Sequence, residues 1–219
     1  MRCHTAQSCS RAGTKGFIAY RCFEKYPFSM KVNIASGQRI IVIGSPGAGK
    51  STFAATISCK TGLPLCHLDR LYWKPGWVPV DREKFLEQLR EVISSPSWII
   101  DGNYQSTLNE RFEAADTVIF LDFNRIVCIA GALRRLFPAG WRDRKDMTEG
   151  CEERFNREFL KFLQFIWFYP STGRRETVAM LHSERSRGKT IYILHSRNEA
   201  NDFIRSIAGQ QPDGTCLEV

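Results

Sequence analysis

The apolar positions of this 219-residue chain fall into short continuous runs, separated by stretches in which apolar residues recur at helical spacing. Ile40-Ile41-Val42-Ile43 is such a run, and four aliphatic residues in a row predict a strand buried on both faces. A helix is expected to follow, from Lys50 to about Lys60. Gly62 and Pro64 end it and open a second strand, Leu65 to Leu68, closed by Asp69. Trp98 to Gly102 predicts a third strand, Thr117 to Asp122 a fourth and Thr190 to Leu194 a fifth. Between them, Arg82 to Ile93 reads as an amphipathic helix capped by Asp81, with Phe85, Leu86, Leu89, Val92 and Ile93 on one face. Further helices are expected over about Leu108–Glu113, Arg125–Phe137 (stopped by Pro138), Cys151–Phe168, Arg174–Ser186 and Glu199–Ile207. Residues 70–79 read as an aromatic loop with two prolines. Strands alternating with helices predict an α/β fold, a parallel sheet covered on both faces.

This pattern places one domain at residues 39–207. Residues 1–38 lack periodicity and read as a poorly ordered extension. Residues 208–219 read as a frayed tail, and the polar, charged segment at about 138–150 as a mobile lid. Hydrophobic residues make up 43% and charged residues 25% of the chain, the proportions of a soluble globular domain. The net charge is +8, of which residues 1–30 carry +4. The remainder suits an anionic substrate and does not by itself imply nucleic acid. No apolar run reaches the ~18 residues of a membrane span.

The chemistry concentrates between the first strand and the first helix. Gly44-Ser45-Pro46-Gly47-Ala48-Gly49-Lys50-Ser51 matches G-x-x-x-x-G-K-[ST] in full, and Thr52 follows. Strand, glycine-rich turn and helix is the context of a phosphate-binding P-loop. Converging backbone N–H groups and a helix N-terminus hold the phosphates, Lys50 reaches the terminal ones and the Ser51 hydroxyl binds Mg²⁺. Gly44 to Thr52 are therefore the candidate cofactor-binding residues, with ATP and Mg²⁺ as cofactors. Ligands in such sheets lie beyond the carboxyl ends of the strands, where three aspartates fall. Asp101, ending an apolar run, is the first choice for the magnesium shell, with Ser51. Asp69 is placed to orient or deprotonate an acceptor hydroxyl. Asp122 reads as a cap for the next helix. Phosphoryl transfer needs cations nearby. Arg134, Arg135, Arg142 and Arg144 are available, and Arg134 and Arg144 are favoured as catalytic. The aromatic segment Tyr72 to Trp77 either stacks a planar acceptor, with Lys74 holding an anionic group, or pins the loop onto the helix that begins near Arg82. A nucleotide-binding α/β domain with eight cysteines and no C-x-x-C pair points to a reducing, cytoplasmic setting, with Cys59, Cys66 and Cys128 as small core residues.

Five stretches resemble bacterial adenylate-kinase-like P-loop proteins labelled DNA topology modulation proteins. They are IIVIGSPGAGKST at 40–52, LPLCHLDRLYWKPGWVPVDREKF at 63–85, WIIDGNY at 98–104, ADTVIFLDF at 115–123 and RKDMTEGCEE at 144–153. The resemblance implies a three-layer P-loop NTPase fold of the nucleotide-kinase kind, with five parallel strands in the order 2-3-1-4-5. It also implies that Arg125, like Arg134, leads into the lid as a nucleotide-binding residue. One departure stands out: Asp101-Gly102 is followed by Asn103-Tyr104, where adenylate kinases carry Phe-Pro-Arg. The expected function is a Mg-ATP phosphotransferase acting on a nucleotide or other small acceptor. The alternative is an ATP-dependent regulatory or DNA-topology-related ATPase without a small acceptor. Direct DNA binding is disfavoured, since the chain shows no helix-turn-helix, zinc finger or concentrated basic stripe.

Overall fold

The computed structural model describes Ile34 and residues 38–137, 146–151, 153–186 and 188–207. The expectations for the rest of residues 1–38, for Arg142 and Arg144, for residues 138–145 of the lid and for residues 208–219 lie outside these. Five strands form one parallel sheet: β1 (Arg39–Gly44), β2 (Leu65–His67), β5 (Trp98–Asp101), β6 (Thr117–Leu121) and β7 (Thr190–Leu194), in the spatial order β2-β5-β1-β6-β7. Numbered along the chain, this is the order 2-3-1-4-5, with the P-loop strand at the centre. Two short strands, β3 (Trp73–Lys74) and β4 (Val78–Pro79), form a separate antiparallel hairpin.

The helices are α1 (Lys50–Thr61), α2 (Leu68–Tyr72), α3 (Arg82–Ser94), α4 (Gln105–Ala114), α5 (Arg125–Arg134), α6 (Arg157–Phe168), α7 (Gly173–Ser186) and α8 (Arg197–Ser206). They cover both faces of the sheet. Alternate residues of each strand supply two separate cores. Ile40, Val42 and Ile119 join Ala54, Ile57 and Phe203 on one side, while Ile41, Ile43 and Val118 join Phe85, Leu89 and Phe112 on the other. At ~1.5–3 kcal/mol for each buried aliphatic side chain, β1 alone anchors the domain through four of them. Ile34, in the stretch expected to stand outside the domain, is itself buried in the first core.

The capping chemistry explains where sequence and structure diverge. Asp81 caps α3 as expected, accepting from the N–H groups of Glu83 and Lys84. The aromatic helix begins six residues later than expected, because Asn156 caps it by accepting from Phe159 N at 2.8 Å. The cap of α5 is Asn124, which accepts from Ile126 N at 2.9 Å. Asp122 is not a cap; it holds Arg174 through two hydrogen bonds of 2.6 and 2.7 Å, tying β6 to α7. The second strand ends at His67, and Leu68 opens α2, so Asp69 sits in the first turn of a helix and not at a strand end. The expected aromatic loop is α2 followed by the hairpin. Cys66 and Cys128 are buried and free as expected, whereas Cys59 is only half-buried and is disulfide-bonded, against the expectation of a small core thiol.

Candidate active site

The loop after β1 wraps tightly enough to need its glycines. Gly47 has φ 79°, and a Cβ there would overlap the carbonyl of Cys128 on α5. Gly49, at φ 89°, is the N-cap of α1. The loop thus curls directly into the N-terminus of α1, the arrangement that in P-loops binds phosphate. Lys50 Nζ donates to Ser45 O at 3.2 Å, folding the side chain beneath the loop. Desolvation lowers the Lys50 pKa, while Asp101 and Asp69 oppose that shift.

Two clefts meet at this loop. The first, about 560 Å³, is lined by Gly49, Thr52, Phe53 and Thr56 and by Arg197 and Asn201 of α8, among others. The second, about 610 Å³, is lined by Lys50, Asp69, Asp101, Tyr104 and Trp73, among others. Ser51 and Arg135 line both. The junction is therefore where a phosphate held by the loop would face the second cleft.

The two aspartates reach the second cleft by different routes. Asp101 ends β5 and is buried; its Oδ2 meets His67 Nδ1 at 3.0 Å, and its Oδ1 accepts no hydrogen bond from the described residues. A buried carboxylate oxygen without a donor is costly unless something else binds it. Together with the Ser51 hydroxyl it is the hard-oxygen chemistry that Mg²⁺ takes, so the residues present fit the ion. Asp69 accepts a hydrogen bond from the Tyr104 hydroxyl, at 2.7 Å. Burial raises its pKa, the Tyr104 bond and Lys50 counter the rise, and Asp101 adds to it.

A buried arginine builds the loop between β5 and α4. Arg111, fully enclosed, donates from Nη1 to Gly102 O (2.8 Å) and from Nη2 to Asn103 O (2.6 Å) and Tyr104 O (3.0 Å). Its pKa is lowered to about 10, chiefly by desolvation. The loop so fixed presents Asn103 Oδ1 to Gly44 N at 3.0 Å, joining it to the start of the P-loop.

Of the arginines expected to act on phosphate, Arg134 is exposed and lines only the first cleft. The arginine at the junction is its neighbour Arg135, whose Nη1 pairs with Glu153 at 3.2 Å. Arg125, expected among the nucleotide ligands, lines neither cleft; its guanidinium stacks over Trp167 at 4.5 Å. Arg144 lies outside the described residues. Lys74 is exposed on β3 and lines neither cleft, whereas Trp73 and Trp77 line the second. Arg135 was among the four arginines the sequence offered, with Arg134 preferred over it, whereas the parts played by His67, Asn103, Tyr104 and Arg111 were missed. The departure at Asn103-Tyr104 was the one signal for these.

The central strand with its phosphate loop, the order 2-3-1-4-5 and helices on both faces define the three-layer P-loop NTPase fold of the nucleotide-kinase kind. No family model matches the chain, and no curated protein sequence matches it. Among solved structures it is similar to a shikimate kinase from Bacteroides thetaiotaomicron, with 18% identity over 77% of this chain and 94% of that one, TM-score 0.44. It is also similar to a sugar kinase from Janibacter sp. HTCC2649, with 15% identity over 77% and 90%, TM-score 0.40. A third is a gluconokinase from Sinorhizobium meliloti 1021, with 14% identity over 78% and 89%, TM-score 0.41. Among the described residues no helix is long and apolar enough to cross a membrane, and no group of three or more His, Cys, Asp or Glu could hold a metal ion by itself.

Proposed function

We propose that the chain is a Mg-ATP-dependent phosphotransferase that moves the terminal phosphoryl group to a hydroxyl of a small acceptor. The observation that carries this reading is the meeting of two clefts at Ser51 and Arg135, with Lys50 and two carboxylates beside them. ATP occupies the first cleft, with its phosphates on the loop. Lys50 and Arg135 offset the charge that spreads over the transferring group, and Asp69 takes the acceptor proton. Ser51 and Asp101, whose Oδ1 accepts nothing from the described residues, would hold Mg²⁺, which would supply Lewis-acid chemistry to the phosphates. In this reading residues 39–207 act as one catalytic domain, and Arg144 is kept as the further cation expected from the sequence. The need for ATP supports a cytoplasmic setting. The resemblance to topology modulation proteins is kept in this reading as a resemblance to their kinase-like domain. A regulatory ATPase without an acceptor differs in one measurable respect: its turnover would not respond to a molecule in the second cleft.

The test is Lys50→Met. ADP release should fall by about 100-fold or more, the scale set by losing one preorganised charge-stabilising donor. Circular dichroism and melting temperature should stay at the wild-type level or above it. Wild-type turnover in the folded variant would remove the loop from the chemistry.

A further inference from the structure

Resting on that reading, the second cleft narrows what the acceptor is. We infer that it takes an uncharged hydroxyl compound bearing an aromatic ring, of the chemical class of nucleosides, and not a phosphate ester. The rings that line it come from three separate parts of the chain: Trp73 and Trp77 of the hairpin, Tyr104 before α4, and Phe159 and Phe162 of α6. Trp73 meets Trp77 edge to face at 5.5 Å and 77°, and Tyr72 edge to face at 4.8 Å and 88°. Trp77 has the left-handed φ of 62°, rare for so bulky a residue, and yet stays 37% exposed. The β3–β4 turn, with Gly76 at φ 78° just before, sets that backbone angle, and the ring it carries lines the cleft.

Charge argues in the same direction. Among the described residues lining this cleft are four carboxylates, Asp69, Asp101, Glu153 and Glu158, and three cations, Lys50, Arg135 and Arg154. The proposed reaction assigns Lys50 and Arg135 to the transferring phosphoryl group. A second, dianionic phosphate on the acceptor would therefore meet more carboxylates than remaining cations among these residues. A neutral ring compound meets no such repulsion, and a cleft of about 610 Å³ is within the range of ~300–1,000 Å³ that small ligands occupy. In the reaction, the acceptor hydroxyl oxygen bonds to the γ-phosphorus of ATP. The bond from that phosphorus to the β–γ bridging oxygen breaks, ADP leaves with its electrons, and the hydroxyl proton passes to Asp69.

The experiment uses the full chain with Mg-ATP. Adenosine, guanosine, cytidine and uridine are compared with their 5′-monophosphates and with glucose, a polyol without an aromatic ring. ADP release and the mass of the phosphorylated product are read, together with quenching of tryptophan fluorescence by each compound without ATP. At least one nucleoside should quench and support ADP release, at ten-fold or better kcat/KM over its monophosphate. Trp77→Ala should raise the KM for that nucleoside about 5- to 150-fold, the equivalent of ~1–3 kcal/mol for one stacked base, with ATP affinity held. Trp77→Phe, which keeps a ring, should recover most of it. Preference for a monophosphate or for glucose overturns the inference, as does an unchanged KM in Trp77→Ala. If ATP binds in a Lys50-dependent way and no nucleoside quenches, this inference fails and the phosphotransferase reading stands. If ATP does not bind, that reading fails, and the quenching titrations alone decide this one.

Discussion

Gly131, in the middle of α5, gives a prediction whose sign is at stake. In an exposed helix, Gly→Ala stabilises by roughly 0.5–1 kcal/mol, because alanine loses less backbone entropy on folding. Here α5 lies against the phosphate loop. A Cβ on Gly131 would overlap the carbonyl oxygen of Gly47, with its carbonyl carbon at 3.1 Å and Cα at 3.4 Å. Both partners are backbone, so relief requires the loop or the helix to move. Overpacking of this kind costs about 1–3 kcal/mol, which exceeds the propensity gain. Gly131→Ala should therefore destabilise by a net ~0.5–2 kcal/mol, and it should weaken ATP binding because the displaced group belongs to the loop. Gly62→Ala, at the C-cap of α1 and lining neither cleft, is the matched control. It meets nothing within 4 Å, so it carries only the strain of φ 71°, about 1–2 kcal/mol. Chemical denaturation gives both stabilities, and calorimetric titration with ATP gives both affinities. If Gly131→Ala is more stable than wild type with unchanged ATP affinity, the loop does not rest on α5 and the reasoning is wrong.

Two further predictions follow from the carboxylates. Burial holds the Asp69 pKa above its ordinary 3.8, so its stability contribution is fully present below that value and is lost as pH rises through the folded pKa. Asp69→Asn should then raise the melting temperature at neutral pH, with the gain shrinking toward pH 4, while turnover falls; a gain that grows on acidification would reverse the assigned sign. His67→Ala should free the Asp101 carboxylate to turn, weakening Mg²⁺-dependent nucleotide binding by about ten-fold or more while leaving Mg²⁺-free binding near wild type, as read by titration with and without EDTA. Equal loss in both would make His67 a packing residue.

What the sequence displayed was local. Ile40 to Ile43 and Thr117 to Leu121 read as buried strands because a fully enclosed parallel strand leaves a continuous apolar run. The phosphate loop was legible because its glycines, lysine and serine act within eight consecutive residues. Asp69 was recognised as a cleft carboxylate but set on the wrong element, since one turn of helix after β2 has no periodicity to show. Asp122 failed as a cap because its partner, Arg174, is 52 residues away and is brought near only by the packing of α7. Arg125 and Arg135 lie at opposite ends of α5. Which of them lines a cleft depends on whether Trp167 or the loop is the neighbour, and pattern cannot reveal that. The Asn103 bond to Gly44 spans 59 residues and exists only because β5 lies beside β1.

Arg111 touches neither the loop that holds phosphate nor the residues proposed to hold magnesium, yet three successive carbonyls of the adjoining turn converge on its guanidinium. Backbone carbonyls aimed at one point repel each other unless a cation sits among them. Lysine, a point charge without the planar fork, cannot serve three acceptors spread along a chain in the same way. The shape of the turn that carries Asn103 and Tyr104 is thereby written on α4, a helix none of whose own residues lines either cleft. An exchange of α4 between related chains would re-shape the candidate site without altering any residue that lines it.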